Sequence, residues 1–383
     1  MSRRLRIALL SPYHGGSHRA WAIGLQRASQ HEIELFTLPA RFWKWRMHGG
    51  AVTLARKYLA AGFPADLILA TDMVDLTTFL ALTRPFTSNT AVGLYMHENQ
   101  LTYPLPADGR TGPMRRQHGE RDLHYVFINF ASMLAANFVL FNSRYHRDSW
   151  FAALPGYLRR FPEYQEMTAV AALQAKSQVL PVGLPLADLQ SPTNEALPAN
   201  QAPLILWNQR WEYDKNPDDF FGALFTLADE GIPFEVVLCG EQFGKRPSIF
   251  QEAIQRLGSR IRHVGHLPRE PYRAWLQAAD ITVSTAYHEF FGISILEAIA
   301  CQTFPLLPNR LSYPELLPKK YHPVCLYNSQ EDLITQLRDA LTRPAHSRTV
   351  ARELATAVTP YDWRNLGPRY DQTFELFSAL GQK

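Results

Sequence analysis

The sequence of 383 residues is informative first through what it lacks. No apolar run approaches the roughly 20 residues that a membrane-spanning helix needs, which excludes an integral membrane protein. Three cysteines are present, and their spacing suits neither a metal site nor a disulfide scaffold, so we expect free thiols in a reducing cytoplasm. Charged residues make up 19% against 46% hydrophobic residues, which excludes a disordered chain.

The segment 41–65 begins with RFWKWRMHGG. It contains five cations and no acidic residue. Residues 1–185 hold 20 Lys and Arg against 12 Asp and Glu, whereas residues 186–383 hold 19 against 23. A basic half attracts polyanions. Rings beside cations suit a surface that stacks on bases and holds phosphates. The alternative is that the rings are core and the charges form a solvated rim.

Short apolar runs alternate with helical patterns along the whole chain, which predicts βα units and parallel sheets. A segment rich in proline and polar residues, 180–203, is interpreted as a linker. We therefore predict an α/β protein with two Rossmann-like domains that face each other across a cleft. The predicted boundaries are 1–185, 186–358 and a last helix, 359–383. Ligands of such sheets bind at the carboxyl ends of the strands, so functional residues are expected there.

The second half places two glutamates after the predicted strand 281–286, in YHEFFGISILEA. Glu289 lies in the loop and Glu297 on the following helix. The N–H groups of Phe291, Gly292 and Ile293 open that helix, and a helix N-terminus favours an anion such as phosphate. A strand–loop–helix corner with incidental acids is the alternative interpretation.

Two cations follow the first strand of this half, in NQRWEYDKNP. We expect Arg210 and Lys215 to converge on one site and to neutralise a diphosphate leaving group. The alternative is that both side chains lie in a solvated loop. Gly240 follows the next strand. The stretch HVGHLP, which contains His266, offers backbone groups to a planar base.

These motifs together resemble the retaining GT-B glycosyltransferases, above all through the E-x7-E spacing with FG inside it. The resemblance implies that Arg210 and Lys215 hold the donor diphosphate. It also implies that Glu289 and the adjacent N–H groups bind the donor sugar and that Glu297 binds the ribose. It implies transfer with retention, no catalytic metal, no cofactor beyond the sugar nucleotide, and a last helix that crosses back to the first domain.

The first half carries polar groups after its strands. His14, Gly15, Gly16 and His18 follow the first strand, where the glycines either approach the donor phosphates or only form a turn. The run HENQ follows the fourth strand, and its members bind a substrate or cap a loop. They are His97, Glu98, Asn99 and Gln100.

The stretches SPYHGGSH, FWKWR, MHENQLTYP, FNSRYHRDSW and LPVGL resemble the tRNA-queuosine mannosyltransferases from residue 7 to about 375. The resemblance implies transfer of mannose from GDP-mannose to queuosine in a tRNA anticodon loop. It places His97 near the reacting sugar. Phosphate contacts and ring stacking then predict an RNA surface. Its residues are Trp43, Trp45, Arg46, Arg115 and Arg116.

Two other functions compete with this one. A GT-B enzyme that acts on a lipid, polysaccharide or small molecule would turn the basic half towards anionic lipid. Gly49 and Gly50 are expected to interrupt any amphipathic helix in 41–60, which argues against a membrane surface. A catalytically dead RNA-binding module is the second alternative, and the intact set of two cations and two glutamates argues against it.

Overall fold

The computed structural model of the protein describes residues 3–104, 123–242 and 247–379. The chain divides into two compact units. One comprises the described residues up to Leu184 together with those from Trp363 onward, and the other is Pro185–Asp362. Within the described ranges, every helix is too short or too polar to cross a lipid bilayer.

The first unit contains a parallel sheet of six strands whose central members are buried aliphatic runs. The strands are β1 (Arg6–His14), β2 (Glu32–Pro39), β3 (Leu67–Thr71), β4 (Ala91–Met96), β5 (Phe138–Phe141) and β6 (Ser177–Val179). Their order is β2-β1-β3-β4-β5-β6. The order in which strands are added to the sheet reverses between β1 and β3. The loops after β1, β3 and β4 lie at the carboxyl edge of the sheet, where parallel sheets bind ligands.

Helices connect these strands. They are α1 (Gly16–Ala28), α2 (Trp43–Ala61), α3 (Leu76–Thr87), α4 (Leu123–Ala135), α5 (Arg144–Leu158) and α6 (Met167–Ala175).

The expected interruption at Gly49 and Gly50 is wrong, because α2 continues through both glycines. Each glycine costs only about 1 kcal/mol relative to alanine in a helix. The buried face of α2, which includes Leu54 and Tyr58, packs on the sheet and outweighs that cost.

The second unit repeats the architecture. Its strands are β7 (Leu204–Trp207), β8 (Glu235–Leu238), β9 (Ile261–Val264), β10 (Ile281–Val283), β11 (Phe304–Pro308) and β12 (Leu326–Tyr327). These strands are parallel, in the order β12-β11-β10-β7-β8-β9. The order in which strands are added therefore reverses between β7 and β10.

Helices cover this second sheet as well, and the first of them lies inside the segment interpreted as a linker. They are α7 (Leu186–Gln190), α8 (Pro217–Asp229), α9 (Ile249–Leu257), α10 (Arg269–Ala278), α11 (Ile293–Ala300), α12 (Tyr313–Leu316), α13 (His322–Cys325), α14 (Gln330–Thr342) and α15 (Pro344–Ala357).

The last helix, α16 (Trp363–Ser378), returns to the first unit, as predicted. The hydroxyl of Tyr370 accepts a hydrogen bond from Trp21 Nε1 at 3.0 Å and donates to the carbonyl of Pro181 at 2.8 Å. The Trp363 ring covers Gly24 so closely that a Cβ there would lie 2.2 Å from the ring nitrogen. The helix is therefore part of the core that supports α1.

Candidate active site

The donor residues predicted in the second half of the chain lie where the strand order of the second sheet reverses, between β7 and β10. β7 and β10 are neighbours, and the chain leaves their carboxyl ends towards the same edge. A 3-10 turn, Tyr213–Lys215, follows β7, and the loop that leads into α11 follows β10. The backbone N–H of Tyr287 donates to the carbonyl of Asp214 at 2.8 Å, which ties the two loops together.

Lys215 is the centre of this edge. Its side chain is 7% exposed, and its ammonium donates to the carbonyl of His288 at 2.7 Å. It also contacts Glu289 Oε2 at 3.3 Å and Asp214 Oδ2 at 3.4 Å. The contacts with the His288 carbonyl and Glu289 are hydrogen bonds, whereas the contact with Asp214 is an ion pair without a hydrogen bond. Asp214 itself is completely buried.

Arg210 lies at the same place but nearer to solvent, with 42% of its side chain exposed. One guanidinium nitrogen is 2.9 Å from Glu212 Oε2, and the other is 3.7 Å from Asp214 Oδ2. Burial raises the pKa of Glu212, and the neighbouring Asp214 adds to this while Arg210 opposes it. The predicted cations thus share one buried carboxylate.

Glu289 is held from two sides. Its Oε2 faces Lys215, and its Oε1 accepts the N–H of Phe291 at 3.2 Å. Burial alone would raise the pKa of Glu289, but Lys215 and the Phe291 N–H together bring it below its ordinary value. The side chain is therefore a carboxylate at neutral pH. The N–H of Phe291 already serves this carboxylate rather than standing open to an anion.

Gly292 shapes the turn into α11, which begins at Ile293. Its φ of +105° lies in the left-handed region, and an added Cβ would lie 2.9 Å from Leu316 Cδ1. Ser312 Oγ donates to the carbonyl of Phe291 at 3.0 Å and braces the same loop.

Glu297 lies on α11 and meets two residues that the sequence did not single out. Its Oε2 accepts the hydroxyl of Tyr272 at 2.9 Å, and that hydroxyl accepts Asn208 Nδ2 at 3.0 Å. Burial raises the pKa of Glu297, and the Tyr272 hydrogen bond opposes the rise. Tyr272 follows HVGHLPRE closely, so its position just after the stretch predicted to hold the base was the available signal.

The other two donor-side residues differ in setting. Gly240 follows β8 where the backbone comes close to β7: a Cβ there would lie 1.8 Å from the carbonyl oxygen of Gln209 and 2.3 Å from the Trp211 ring. Its first role is thus to permit that approach. His266 is exposed, in the loop that Gly265 turns with a φ of +125°.

The corresponding edge of the first unit is built from rings. The His97 imidazole lies 4.5 Å from that of His18, 4.6 Å from the Trp21 ring and 4.7 Å from the Tyr95 ring, between centroids. The backbone N–H of His97 donates to Asp72 Oδ1 at 2.9 Å.

Both imidazoles are neutral at pH 7. Burial holds the pKa of His97 well below its usual range, and the neighbouring His18 and His146 add to the effect. Burial, with His14, lowers the pKa of His18 to about 4. His97 Nε2 and His18 Nδ1 are buried and have no hydrogen-bond partner among the residues that the structure describes.

The remaining residues of this edge divide into turn formers and polar groups. A Cβ at Gly15 would lie 2.3 Å from Ala40 Cβ, and Gly16 has a φ of +49°, so both glycines serve the β1–α1 turn. Asn99 is buried and caps a turn, since its Oδ1 accepts the N–H of Thr102 at 2.8 Å. Gln100 Nε2 donates to Glu98 at 3.2 Å. His14 Nδ1 is 3.2 Å from Ser11 Oγ.

The aromatic stretch at the start of α2 separates into core and surface. Trp43 packs with Met47 and Tyr125, 5.1 Å from the Tyr125 ring. Trp45 is 63% exposed, and its ring lies over Gly49, where a Cβ would come within 2.7 Å of it. Phe42, just before the helix, is 74% exposed and has a φ of +54°.

Cations surround these rings. Lys44 Nζ lies 5.6 Å from the centre of the Trp43 ring, and Arg46 Nε donates to the carbonyl of Pro39 at 3.1 Å. Arg115 and Arg116, predicted for the same surface, lie outside the described residues. In the part of the chain that is described, no group of three or more His, Cys, Asp or Glu side chains is placed to hold a metal ion.

Comparison with known proteins agrees with this architecture. Residues 6–184 match the family model described as tRNA-queuosine alpha-mannosyltransferase N-terminal, and residues 193–356 match the model described as Glycosyl transferases group 1. The solved structure of sucrose-phosphate synthase from Thermosynechococcus elongatus superposes with a TM-score of 0.72 at 19% identity, over 98% of this chain and 100% of that one. The predicted GT-B fold is therefore confirmed.

Two curated relatives carry the comparison further. The tRNA-queuosine alpha-mannosyltransferase of Drosophila melanogaster is 34% identical over 346 residues, which cover 88% of this chain and 87% of the relative. A GDP-mannose-dependent alpha-(1-6)-phosphatidylinositol dimannoside mannosyltransferase of Mycobacterium tuberculosis is 28% identical over 41% of this chain and 40% of the relative.

Proposed function

The chain belongs to the tRNA-queuosine alpha-mannosyltransferase family, and we propose that it transfers mannose from GDP-mannose, with retention, onto queuosine in a tRNA anticodon loop. The observation that carries the proposal is the edge formed after β7 and β10, where Arg210, Lys215 and Glu289 meet. The mycobacterial relative is named for the same donor, which supports GDP-mannose as the sugar nucleotide.

The donor edge suits the departure of a diphosphate. The bond between the anomeric carbon and the diphosphate oxygen breaks, and negative charge builds on that oxygen. Arg210 and Lys215 stabilise this charge. Glu289 remains a carboxylate and accepts hydrogen bonds from hydroxyls of the mannose. The acceptor hydroxyl attacks from the face that the diphosphate leaves, and its proton passes to the leaving phosphate oxygen.

His97 and His18 suit a neutral substrate group. Each has a buried ring nitrogen that can accept or donate one hydrogen bond to a hydroxyl of the sugar or of queuosine. A charged imidazole would repel the positive charge that develops at the anomeric carbon, so the low pKa of both rings fits this use.

The surface at the start of α2 is proposed to receive the RNA. Phe42 and Trp45 are three residues apart and both largely exposed, which suits stacking on unpaired bases. Cations without any acid between residues 41 and 65 suit the phosphates. Trp43 supports this surface from the core side.

Product analysis tests the function. The protein is incubated with queuosine-containing tRNA and, in parallel, with GDP-mannose, GDP-fucose, UDP-glucose and UDP-galactose, and the nucleosides are then analysed by mass spectrometry. We expect queuosine heavier by one hexose only with GDP-mannose. A hexose on queuosine from a UDP-sugar would contradict the donor, and unmodified queuosine with every donor would contradict the acceptor.

Substitution of the exposed rings tests the RNA surface. Phe42→Gly removes a ring from a left-handed position that favours glycine, so thermal stability should stay equal or rise. Affinity for tRNA should nevertheless fall, by about 1–3 kcal/mol for each base that no longer stacks on a ring. Trp45→Ala should weaken binding by a similar amount. Phe86→Ala, another exposed ring of the same unit, is the control. Unchanged affinity in both ring variants would remove this surface from the acceptor site.

The salt dependence of tRNA binding tests the cations separately. Arg46→Ala removes one cation that we expect to face a phosphate, so the slope of log affinity against log salt should flatten by about one unit. Reversal of Arg115 and Arg116 to Glu should flatten it further. An unchanged slope in both variants would leave these arginines without a role in RNA binding.

A further inference from the structure

Within the described residues, the two predicted cations of the donor edge lie among acidic side chains. Arg210 and Lys215 are in direct ionic contact with three carboxylates, those of Glu212, Asp214 and Glu289, at distances between 2.9 and 3.7 Å. A site for an anion would ordinarily present unoccupied cations. Here each cation already has a carboxylate partner, so a diphosphate must compete for it.

Competition is sharpest at Lys215. Its ammonium donates to the His288 carbonyl and to Glu289 Oε2 and lies 3.4 Å from the Asp214 carboxylate, so a phosphate oxygen competes with Glu289 for this charge. The His288 carbonyl is part of the backbone, and Asp214 is completely buried. Glu289 is 22% exposed and is the acceptor that can turn away.

Arg210 shows the same arrangement at the surface. Its close partner, Glu212, is 23% exposed, whereas the more distant Asp214 is buried beneath both cations. Glu212 can therefore swing into water, while Asp214 cannot follow it.

We propose that the donor binds by an exchange of ion-pair partners, in which the diphosphate displaces Glu212 from Arg210 and Glu289 from Lys215 while Asp214 keeps both cations in place. The inference rests on the proposed function of this edge. It makes Glu212 a residue that limits the affinity for diphosphate. It also releases Glu289 to the sugar hydroxyls only when a diphosphate has taken its place on Lys215.

Calorimetric titration of the full chain with GDP tests the exchange. Glu212→Gln removes a competitor, so GDP should bind roughly two- to fivefold more tightly, the range of a partly exposed ion pair. Glu252→Gln, on the exposed side of α9, changes the net charge equally and should leave GDP binding unchanged. An equal or weaker affinity for GDP in Glu212→Gln, with a folded protein by thermal melting, would overturn the proposal.

A second variant separates the two ligands. Glu289→Gln should also tighten the binding of GDP, because its competition for Lys215 weakens. It should not tighten the binding of GDP-mannose to the same degree, because the carboxylate no longer binds the sugar hydroxyls. Equal changes for both ligands would contradict the release of Glu289.

The exchange and the proposed donor can fail separately. If the parent protein binds UDP but not GDP, the assignment of the donor is wrong, and the Glu212→Gln comparison is made with UDP. If neither the parent nor Glu212→Gln binds any nucleoside diphosphate, both proposals are overturned.

Discussion

The two strand-end edges of this chain share one architecture and differ in their electrostatics. After β7 and β10, cations and carboxylates contact one another directly. After β1 and β4, uncharged imidazole and aromatic rings face one another. After β7 and β10, buried charges are stabilised because they are paired. After β4, burial lowers the pKa of His97, so that its imidazole carries no charge. The difference fits the proposed division of labour between a departing diphosphate and an uncharged acceptor hydroxyl.

Lys215→Ala should have the largest effect, because it breaks the charged edge at its centre. The buried Asp214 carboxylate loses its close partner, which costs about 3–5 kcal/mol of folding stability. Transfer should fall about a hundredfold or more at saturating donor. Stability is measured by urea titration and activity by labelled sugar transfer.

Lys320→Ala provides the matched control for this variant. Lys320 contacts Glu353 at 3.3 Å, the same distance as between Lys215 and Glu289, but both partners are well exposed. We expect the stability and the activity of this variant to equal those of the parent. If both lysine variants lost the same amount of stability and activity, the burial of Lys215 and Asp214 would not explain the effect of Lys215→Ala.

Glycine substitution compares the backbone packing of the two edges. Gly240→Ala would place a Cβ 1.8 Å from a backbone carbonyl, which should cost about 3 kcal/mol because the backbone must move. Gly15→Ala meets the side chain of Ala40 at 2.3 Å and should cost less, about 1–2 kcal/mol. Chemical denaturation measures both. A Gly240→Ala protein as stable as the parent would contradict the close approach of Gly240 to the loop after β7.

Acid should destabilise both edges through their neutral histidines. Burial lowers the pKa of His18 and of His288 to about 4, below the value of about 6.5 in an unfolded chain. The unfolded state therefore binds more protons between these values, and the free energy of unfolding falls as the pH drops from about 6.5 towards 4.

The loss per ring should be about 1–2 kcal/mol at pH 5. Asp72 and Glu297, whose pKa values are raised, act in the opposite direction, so each variant is compared with the parent at pH 7 and at pH 5. His18→Asn and His288→Asn should each lose less stability on acidification than the parent does. A loss equal to that of the parent would mean that the ring is protonated when folded.

Removal of divalent metal should have the smallest effect. In the proposed exchange Arg210 and Lys215 give up Glu212 and Glu289 for the diphosphate, so we expect the leaving group to need no metal ion. Activity in excess chelator should match activity in added Mg²⁺. Complete loss in chelator that returns with metal would contradict this.

The sequence predicted the sheets because their strands are short apolar runs between turn signals. It missed β6 and β12, which have three and two residues and too little pattern to detect. It also missed α7, since five residues between prolines look like a linker.

Residues of the site were predicted unevenly. Arg210, Lys215 and Glu289 follow strands, and neighbouring strand ends must come together. The counter-ions were not found, although Glu212 and Asp214 stand between the two cations in the sequence, because their contacts depend on the backbone of the 3-10 turn. Trp43 and Trp45 were grouped because the glycine pair concealed the helix; residues two apart on a helix face different sides.

Transfer of labelled mannose to tRNA tests the central claim most directly. The parent protein and Lys215→Ala are each incubated with labelled GDP-mannose and with tRNA prepared from queuosine-producing or queuosine-deficient cells. We expect label in queuosine-containing tRNA with the parent protein alone, and none in the other three combinations. Label in queuosine-deficient tRNA, or equal labelling by Lys215→Ala, would contradict it.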